Sequence, residues 1–495
     1  MSKSFAYNPI LPLDVYIADG EPHVYNERIY LFGSHDQEDG DTFCGRDYVF
    51  WSAPIDDLTD WSVSEYVYSS KQDPLYSDDR PYMYAPDVVK GNDGRYYLYY
   101  ALAGYRGKGG YHGPLSVAVS DQPDGPYVYH GFVKDRNGRV FDQGIPFDPA
   151  LINDEGVIRL YYGTSLPKGM NLHHWIVMRF AKMFANIYGK DVQAFRQKDV
   201  PWGAFTLELE DDMLTVKGNA RRILPLKTKN TEYEGHAFFE GSSIRKIRDR
   251  YVFIYSSEKN HELCYATSPY PDRDFSYGGV IISNGDIGYK GRMKAANTTG
   301  TNHGSIVQIK EQWFVFYHRL THASDYSRQA CAEVISIDGQ GRISQVGLSS
   351  QGLNGKPLPA QGTYPAVMAC HISRGKMPHI SNQKWKKPIP CIAHDQDDRY
   401  IGNITDGTQV VFKSFQRVDG INHLHLKLRG VGRGQLHAST GNKINDEVKV
   451  IQIADVNVDQ WQTICFDWDV LEQTYDLILM FNGEGLLDLL ELNFE

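Results

Sequence analysis

The sequence is poor in the features that mark several protein classes. Six cysteines occur in 495 residues, at Cys44, Cys264, Cys331, Cys370, Cys391 and Cys465, scattered and without a CxxC pair. That spacing argues against a disulfide framework or a zinc site and leaves reduced, structural thiols. No stretch approaches the roughly 18 apolar residues that a membrane helix needs, so no membrane partner is expected. Positive charge is not in excess: 51 Lys and Arg stand against 61 Asp and Glu, a net charge of −10, which speaks against a nucleic-acid partner. The segment from Met1 to Pro9 lacks the apolar core of a secretory signal, and the expected location is the cytoplasm. At 41% hydrophobic and 23% charged residues, the composition also lacks the signature of disorder. Nothing in the pattern specifies an oligomeric state.

What is abundant is tyrosine, with 33 residues inside an aromatic fraction of 13%. Aromatic residues suit strands, and their rings suit the apolar faces of sugars. They fall in recurring short runs: Ile29-Tyr30-Leu31-Phe32, Tyr96-Tyr97-Leu98-Tyr99-Tyr100, Ile158-Arg159-Leu160-Tyr161-Tyr162, Tyr251-Val252-Phe253-Ile254-Tyr255 and Trp313-Phe314-Val315-Phe316-Tyr317. Each run reads as a strand, follows a polar turn such as Asn92-Asp93-Gly94-Arg95, and is preceded by another short strand, so the unit is a hairpin. Five such units predict an all-β chain whose first domain, residues 1–365, is a five-bladed β-propeller, because radial repetition protects strand edges. The length exceeds what one ordinary core supports and calls for a second domain.

One position in the repeat carries charge. Ten residues before each run, allowing a slip of one, stand Asp19, Asp87, Asp148, Glu240 and His303. Equivalent strand starts in a propeller converge on one end of the central axis, so four carboxyl groups and an imidazole are expected to face one another there. Strand-end capping is the plain alternative, since Asp is common in turns. Convergent acids are costly unless they serve chemistry or a cation. One protonated and one ionised carboxyl across a cleft are the equipment of glycoside hydrolysis, and a third carboxylate beside the acid raises its pKa by like-charge repulsion.

The motifs Asn8-Pro9-Ile10-Leu11 with Ala18-Asp19, Phe147-Asp148-Pro149-Ala150-Leu151-Ile152, Phe239-Glu240-Gly241-Ser242-Ser243-Ile244, Asn302-His303-Gly304-Ser305-Ile306 and Ser327-Arg328-Gln329 occur in that order. Over roughly residues 8–350 they resemble glycoside hydrolase family 43. The resemblance implies a five-bladed propeller and single-displacement, inverting hydrolysis of xylosides, arabinofuranosides or related sugars. It implies Asp19 as general base, Asp148 as the carboxylate that orients the acid and raises its pKa, and Glu240 as general acid. His303 matches an axial histidine that in many members touches a calcium ion or its water shell, so Ca2+ on the axis is the implied cofactor. Arg328 matches an arginine that hydrogen-bonds the sugar in the deepest subsite. Asp87, in Ala85-Pro86-Asp87-Val88, is read as lining the pocket; the repeat alone does not rank it against Asp148. Glu234, in Glu234-Gly235-His236, is a rival acid placed off the repeat.

Other features take secondary readings. His35, in Gly33-Ser34-His35-Asp36, and Phe43 are candidates to wall the sugar pocket, with turn and core roles as the alternative. The glycine-rich segment from Gly104 to Gly110 lacks a following GKS/T and reads as an active-site loop rather than a phosphate loop. His174 to Phe184, apolar and basic, reads as an amphipathic helix packed within an insertion. After residue 350 the aromatic rhythm stops. Residues 366–396 read as a closing and linking segment, and residues 397–495 as a β-sandwich weakly resembling family 6 carbohydrate-binding modules. There Trp461, Trp468 and Tyr475 are available to stack on sugar, but core packing is the expected role of at least two. The functional expectation is an exo-acting glycosidase on oligosaccharides, releasing xylose or arabinose from short plant-wall chains. A non-catalytic glycan-binding propeller and a calcium-stabilised scaffold are the readings from other classes.

Overall fold

The computed structural model describes residues 5–108, 113–166, 174–379, 385, 388–396, 398–441, 449–453 and 460–495. Its aromatic hairpins are the inner halves of antiparallel blades. The first comprises β1 (Ile17–Tyr25), β2 (Arg28–His35), β3 (Tyr48–Pro54) and β4 (Ser62–Tyr68). The second comprises β5 (Tyr82–Lys90), β6 (Tyr96–Ala103), β7 (Leu115–Ser120) and β8 (Val128–Phe132). The third comprises β9 (Ala150–Asp154), β10 (Val157–Tyr162), β11 (Phe205–Glu208) and β12 (Arg221–Arg222). The fourth comprises β13 (Phe238–Ile247), β14 (Arg250–Ser257), β15 (Glu262–Ser268) and β16 (Ser276–Ser283). The last has three strands among the described residues, β17 (Ser305–Ile309), β18 (Gln312–Leu320) and β19 (Arg328–Ile335).

Every aromatic run is a second strand, and this placement explains the composition. A second strand meets a neighbouring blade on each face, so it does not alternate; β6 is buried at every position. The ring closes through the same packing. Ile29 and Leu31 of the first blade share a core cluster with Phe314 and Phe316 of the last. First strands carry bulges near their starts, between Ala18 and Glu21, Tyr84 and Asp87, and Phe238 and Ser243. There the backbone leaves regular pairing at the mouth of the axis.

The insertion between β10 and β11 holds α1 (His174–Tyr188), as the amphipathic pattern predicts. Phe184 and Tyr188 pack on Phe195 and Trp202, so the helix is anchored by an aromatic core of its own. No helix among the described residues is long and apolar enough to cross a membrane.

The second domain combines β20 (Leu358–Pro359), β21 (Gly362–Pro365), β22 (His371–Ser373), β23 (Cys391–Asp395), β24 (Asp398–Ile404), β25 (Thr408–Gln416), β26 (His423–Ser439), β27 (Lys449–Ile453), β28 (Gln462–Asp467) and β29 (Thr474–Phe494). The boundary drawn at residue 365 moves earlier, because β20 and β21 pair with β25 and β29. The stretch 366–396 likewise contributes β22 and β23 to that sheet rather than serving only as a link. Their two- to five-residue lengths carry too little periodicity to be read from sequence. β26 and β29, of 17 and 21 residues, pair along their length through facing glycines. A Cβ at Gly485 would stand 1.9 Å from the Val431 carbonyl oxygen, so only glycine permits that approach. Trp468 and Tyr475 are buried and joined by an indole-to-hydroxyl hydrogen bond of 3.1 Å, the expected core role. Trp461 lies under the Arg429 guanidinium at 4.3 Å.

Candidate active site

At the mouth of the axis the structure gathers Asp19 of β1, Asp148 just before β9, Glu240 of β13, His303 before β17 and Arg328 opening β19. The Arg328 guanidinium is the hub. Its Nη1 donates to Asp19 Oδ1 at 2.8 Å, while Nε and Nη2 donate to the two oxygens of Asp36 at 2.8 and 3.0 Å. The same guanidinium lies 4.9 Å over the ring of Phe43. The Asp19 N–H donates to His318 Nδ1 at 3.1 Å, which sets that imidazole as the Nε2–H tautomer. His303 Nδ1 stands 3.6 Å from Asp19 Oδ1 and 4.0 Å from Asp148 Oδ2. The Gly241 N–H donates to Asp148 Oδ2 at 3.0 Å. Gly241 has φ +73°, and a Cβ there would come within 3.0 Å of the His303 ring. The glycine after Glu240 therefore serves both the hydrogen bond and the histidine's place.

These surroundings separate the carboxyl groups electrostatically. Burial alone would raise Asp19, but the Arg328 guanidinium foremost, with His303, His318 and the Ser34 hydroxyl, holds it down to about 2. Glu240, half-buried, is pushed up to about 8 by burial and then by the Asp19 charge, against a partial offset from Arg328. Asp148 is pushed well above the carboxylate range by burial and then by Glu240 and Asp19. His303 is lowered by burial and so is neutral near pH 7. One carboxylate and two carboxyl groups that retain protons thus share one pocket.

Two expected pocket residues are elsewhere. Asp87 lies deeper in the channel, where it accepts from His23 Nε2 at 2.8 Å and from the Leu151 and Val88 N–H groups at 2.6 and 2.7 Å. Its register partner is Tyr99, the counterpart of the Glu21–Phe32 pair, so it corresponds to Glu21 rather than Asp19. His35 sits one residue from Asp36, on the opposite side of the chain, with Nδ1 2.9 Å from the Asp47 carbonyl. Glu234 is exposed and accepts from the Asn230 N–H at 2.9 Å, away from the cluster. Asp36 and His318 were missed. A signal for Asp36 was present, since side chains alternate along a strand and the site takes the neighbour of His35. The glycine-rich loop lies on the rim, where Arg106 donates to Thr42 Oγ1 at 2.8 Å and stacks over Tyr326 at 5.3 Å; Gly109 and Gly110 lie outside the described residues.

The chain's likenesses agree with this geometry. The model of Glycosyl hydrolases family 43 matches residues 7–199. A xylosidase/arabinosidase of Thermoclostridium stercorarium is 39% identical over 451 residues, 88% of each chain. The chain belongs to glycosyl hydrolases family 43. A second xylosidase/arabinosidase, from Bacteroides ovatus, is 27% identical over 362 residues, covering 66% of this family 43 chain and 94% of the relative. A family 43 β-xylosidase/α-arabinofuranosidase from a compost metagenome, solved with xylotriose in a calcium-free form, shares the fold. It has a TM-score of 0.51 and 24% identity, covering 70% of this chain and 98% of that one. The protein is a glycoside hydrolase, and its catalytic domain is a five-bladed propeller.

The axial donor set of this family 43 enzyme is the His303 imidazole with the Asp19 carboxylate and the Asp148 carboxyl beside it, and Asp19 Oδ1 already receives Arg328. A hard cation prefers oxygen ligands, so the set fits a calcium ion that keeps most of its own water. Among the described residues, tight groups of three donors lie elsewhere, at Glu21, His23 and Asp87 and at His236, Glu262 and Cys264.

Proposed function

We propose that this family 43 enzyme is an exo-acting, inverting β-xylosidase and α-L-arabinofuranosidase that removes terminal pentoses from short oligosaccharides. The observation that carries the reading is the opposite protonation of two carboxyl groups in one pocket: Asp19 is ionised, and Glu240 holds its proton near neutral pH. The Thermoclostridium and Bacteroides relatives, both xylosidase/arabinosidases, support the choice of sugars.

In this mechanism Glu240 protonates the leaving glycosidic oxygen while Asp19 takes a proton from water attacking the anomeric carbon on the opposite face. Asp148 acts through Glu240, since its bond from the Gly241 N–H fixes the strand that carries the acid; burial and the Asp19 charge keep Glu240 protonated. Arg328 keeps Asp19 ionised and, with Phe43, shapes the deepest subsite. His303, Asp19 and Asp148 would hold a hydrated Ca2+, which would add positive charge on the axis.

The test is hydrolysis of p-nitrophenyl β-xyloside and α-L-arabinofuranoside by wild type, Asp19→Ala and Glu240→Gln, with product anomers followed by NMR. Asp19→Ala should lose both activities. Glu240→Gln should lose about 10²- to 10⁴-fold on xylobiose, whose leaving group needs an acid, and less on the nitrophenyl glycosides. The first-formed xylose should be the α-anomer. First-formed β-xylose, or an unimpaired Glu240→Gln, would overturn the assignment.

A further inference from the structure

Blade 4 carries a cluster that the hydrolytic mechanism does not use. Glu262 and Cys264 lie two apart on β15 and so share one face of the strand. Across from them is His236, four residues before the acid Glu240. His236 Nδ1 is 2.9 Å from Glu262 Oε2, and Cys264 Sγ is 3.8 Å from that nitrogen and 3.9 Å from that oxygen. The backbone of His236 is held by the Tyr255 hydroxyl, which donates to its carbonyl at 2.8 Å. Its ring stacks on Tyr277 at 5.2 Å.

We propose that His236, Glu262 and Cys264 form a site for a thiophilic divalent cation of the zinc class, separate from the active-site axis. With Zn–S near 2.3 Å and Zn–N or Zn–O near 2.0–2.1 Å, tetrahedral ligands stand about 3.3–3.6 Å apart. The observed separations differ from that by a few tenths of an ångström. An imidazole, a carboxylate and a thiolate are a zinc donor set rather than a calcium one. Binding requires no redox step. The Cys264 S–H proton leaves to solvent, His236 carries its proton on Nε2 and gives the Nδ1 lone pair, and Glu262 gives a carboxylate oxygen. Two negative ligands then neutralise the dication. Lys259 contacts the other carboxylate oxygen of Glu262, Oε1, at 3.2 Å, while Oε2 faces the cluster and also accepts from the Ser257 hydroxyl at 2.9 Å. His236, with 24% of its side chain exposed, gives the ion a path from solvent.

The second three-donor group does not qualify. Glu21 is already paired with Arg245 at 2.6 Å, and Asp87 with two backbone N–H groups, so its charge is compensated within the fold.

The probe is Co2+, titrated into the full chain carrying Cys465→Ser, because exposed Cys465 lies 3.8 and 3.9 Å from ring nitrogens of His423 and His425 and would bind it too. One Co2+ per chain should bind, with a near-ultraviolet thiolate-to-cobalt charge-transfer band and the strong visible bands of tetrahedral cobalt. Adding Cys264→Ser should abolish the charge-transfer band, and His236→Gln should weaken Co2+ binding at least tenfold. Zn2+ should raise the melting temperature of the Cys465→Ser chain and leave that of the His236→Gln variant unmoved. If Cys264→Ser fails to fold, the His236→Gln titration decides. No charge-transfer band in the Cys465→Ser chain, a band that persists in folded Cys264→Ser, or unchanged affinity in His236→Gln would each overturn the proposal.

Discussion

Asp19 and Asp148 have φ of +54° and +47°, in the left-handed region that side chains rarely adopt. Such backbone persists where the surrounding structure imposes it, at a cost on the order of 1–3 kcal/mol per residue. Here the imposing groups are Arg328 on Asp19 and the Gly241 N–H on Asp148. Asp148 adds an electrostatic cost. Its folded pKa is raised, so the native state holds a proton that the unfolded chain gives up above about 3.9, and stability falls as pH rises beyond that value. Asp148→Asn, which keeps an acceptor for Gly241 and tolerates the left-handed backbone, should therefore melt a few degrees higher at pH 7. Its kcat should fall by at least tenfold, because Glu240 loses the neighbour that orients it. A calorimetric scan beside a rate assay checks both.

The same groups set the pH profile. The competent enzyme has Asp19 ionised and Glu240 protonated. The profile of kcat/KM should therefore fall above about 8 as Glu240 ionises, and on the acid side only toward about 2, for as long as the fold survives. Glu240→Gln should lose the alkaline limb. A wild-type limb near 5 instead would mean that the pocket does not hold the proton on Glu240.

At the scale of elements, the bulged first strand is the device that matters. Hydrophobic runs such as Tyr96–Tyr100 announce the second strands because burial on both faces leaves an unbroken apolar stretch. Counting back from them therefore reaches the right strand end. Asp19, Asp148, Glu240 and His303 were legible in this way, and Arg328 by resemblance. Both β1 and β5 carry the same one-residue bulge, but the turn after β5 has five residues, Gly91 to Arg95, against two after β1, Asn26 and Glu27, which is why the same count took Asp87 for an equivalent of Asp19. His318 was hidden for another reason: it sits at the end of an aromatic run, where a histidine reads as one more buried ring. Gly241 offers a check on the bulge after Glu240. Gly241→Ala would force a Cβ at φ +73° to within 3.0 Å of the His303 ring. It should lower kcat at least tenfold and the melting temperature by a few degrees; an alanine variant with wild-type activity would show that the bulge does not position the acid.

On the scale of the molecule, the second domain belongs to the active-site architecture. Arg399 of β24 pairs with Glu38 at 2.8 Å, and His394 of β23 with Asp39 at 3.1 Å. Both acids sit in the rim loop that also supplies Asp36 to Arg328. The Ile392 N–H donates to the Thr321 carbonyl at 2.8 Å, bracing the loop that leads into Arg328. A load path thus runs from the sandwich through the Glu38 loop to Asp36, Arg328 and Asp19. Arg399→Ala should reduce kcat several-fold with a smaller change in global stability, since the pair is mostly but not wholly buried. Arg399→Lys should restore part of the rate; equal rates in all three proteins would confine the sandwich to a passive role.

The N-terminal strap has a consequence for how the chain is made. Asn8, fully buried, donates from its side-chain amide to the Ala332 carbonyl and accepts from the Ala332 N–H, 324 residues away. Tyr7 beside it is part of the core of the sandwich, and Phe5 stacks on Tyr364. These residues leave the ribosome long before anything they bind. At about 5–20 residues per second, the interval is roughly 15 to 65 seconds. Throughout it the growing ring has an open seam between its first blade and the blade still unmade, with Ile29 and Leu31 uncovered. Vectorial synthesis thus cannot complete this fold blade by blade: closure is a late event, and the nascent chain needs protection at that seam until it occurs.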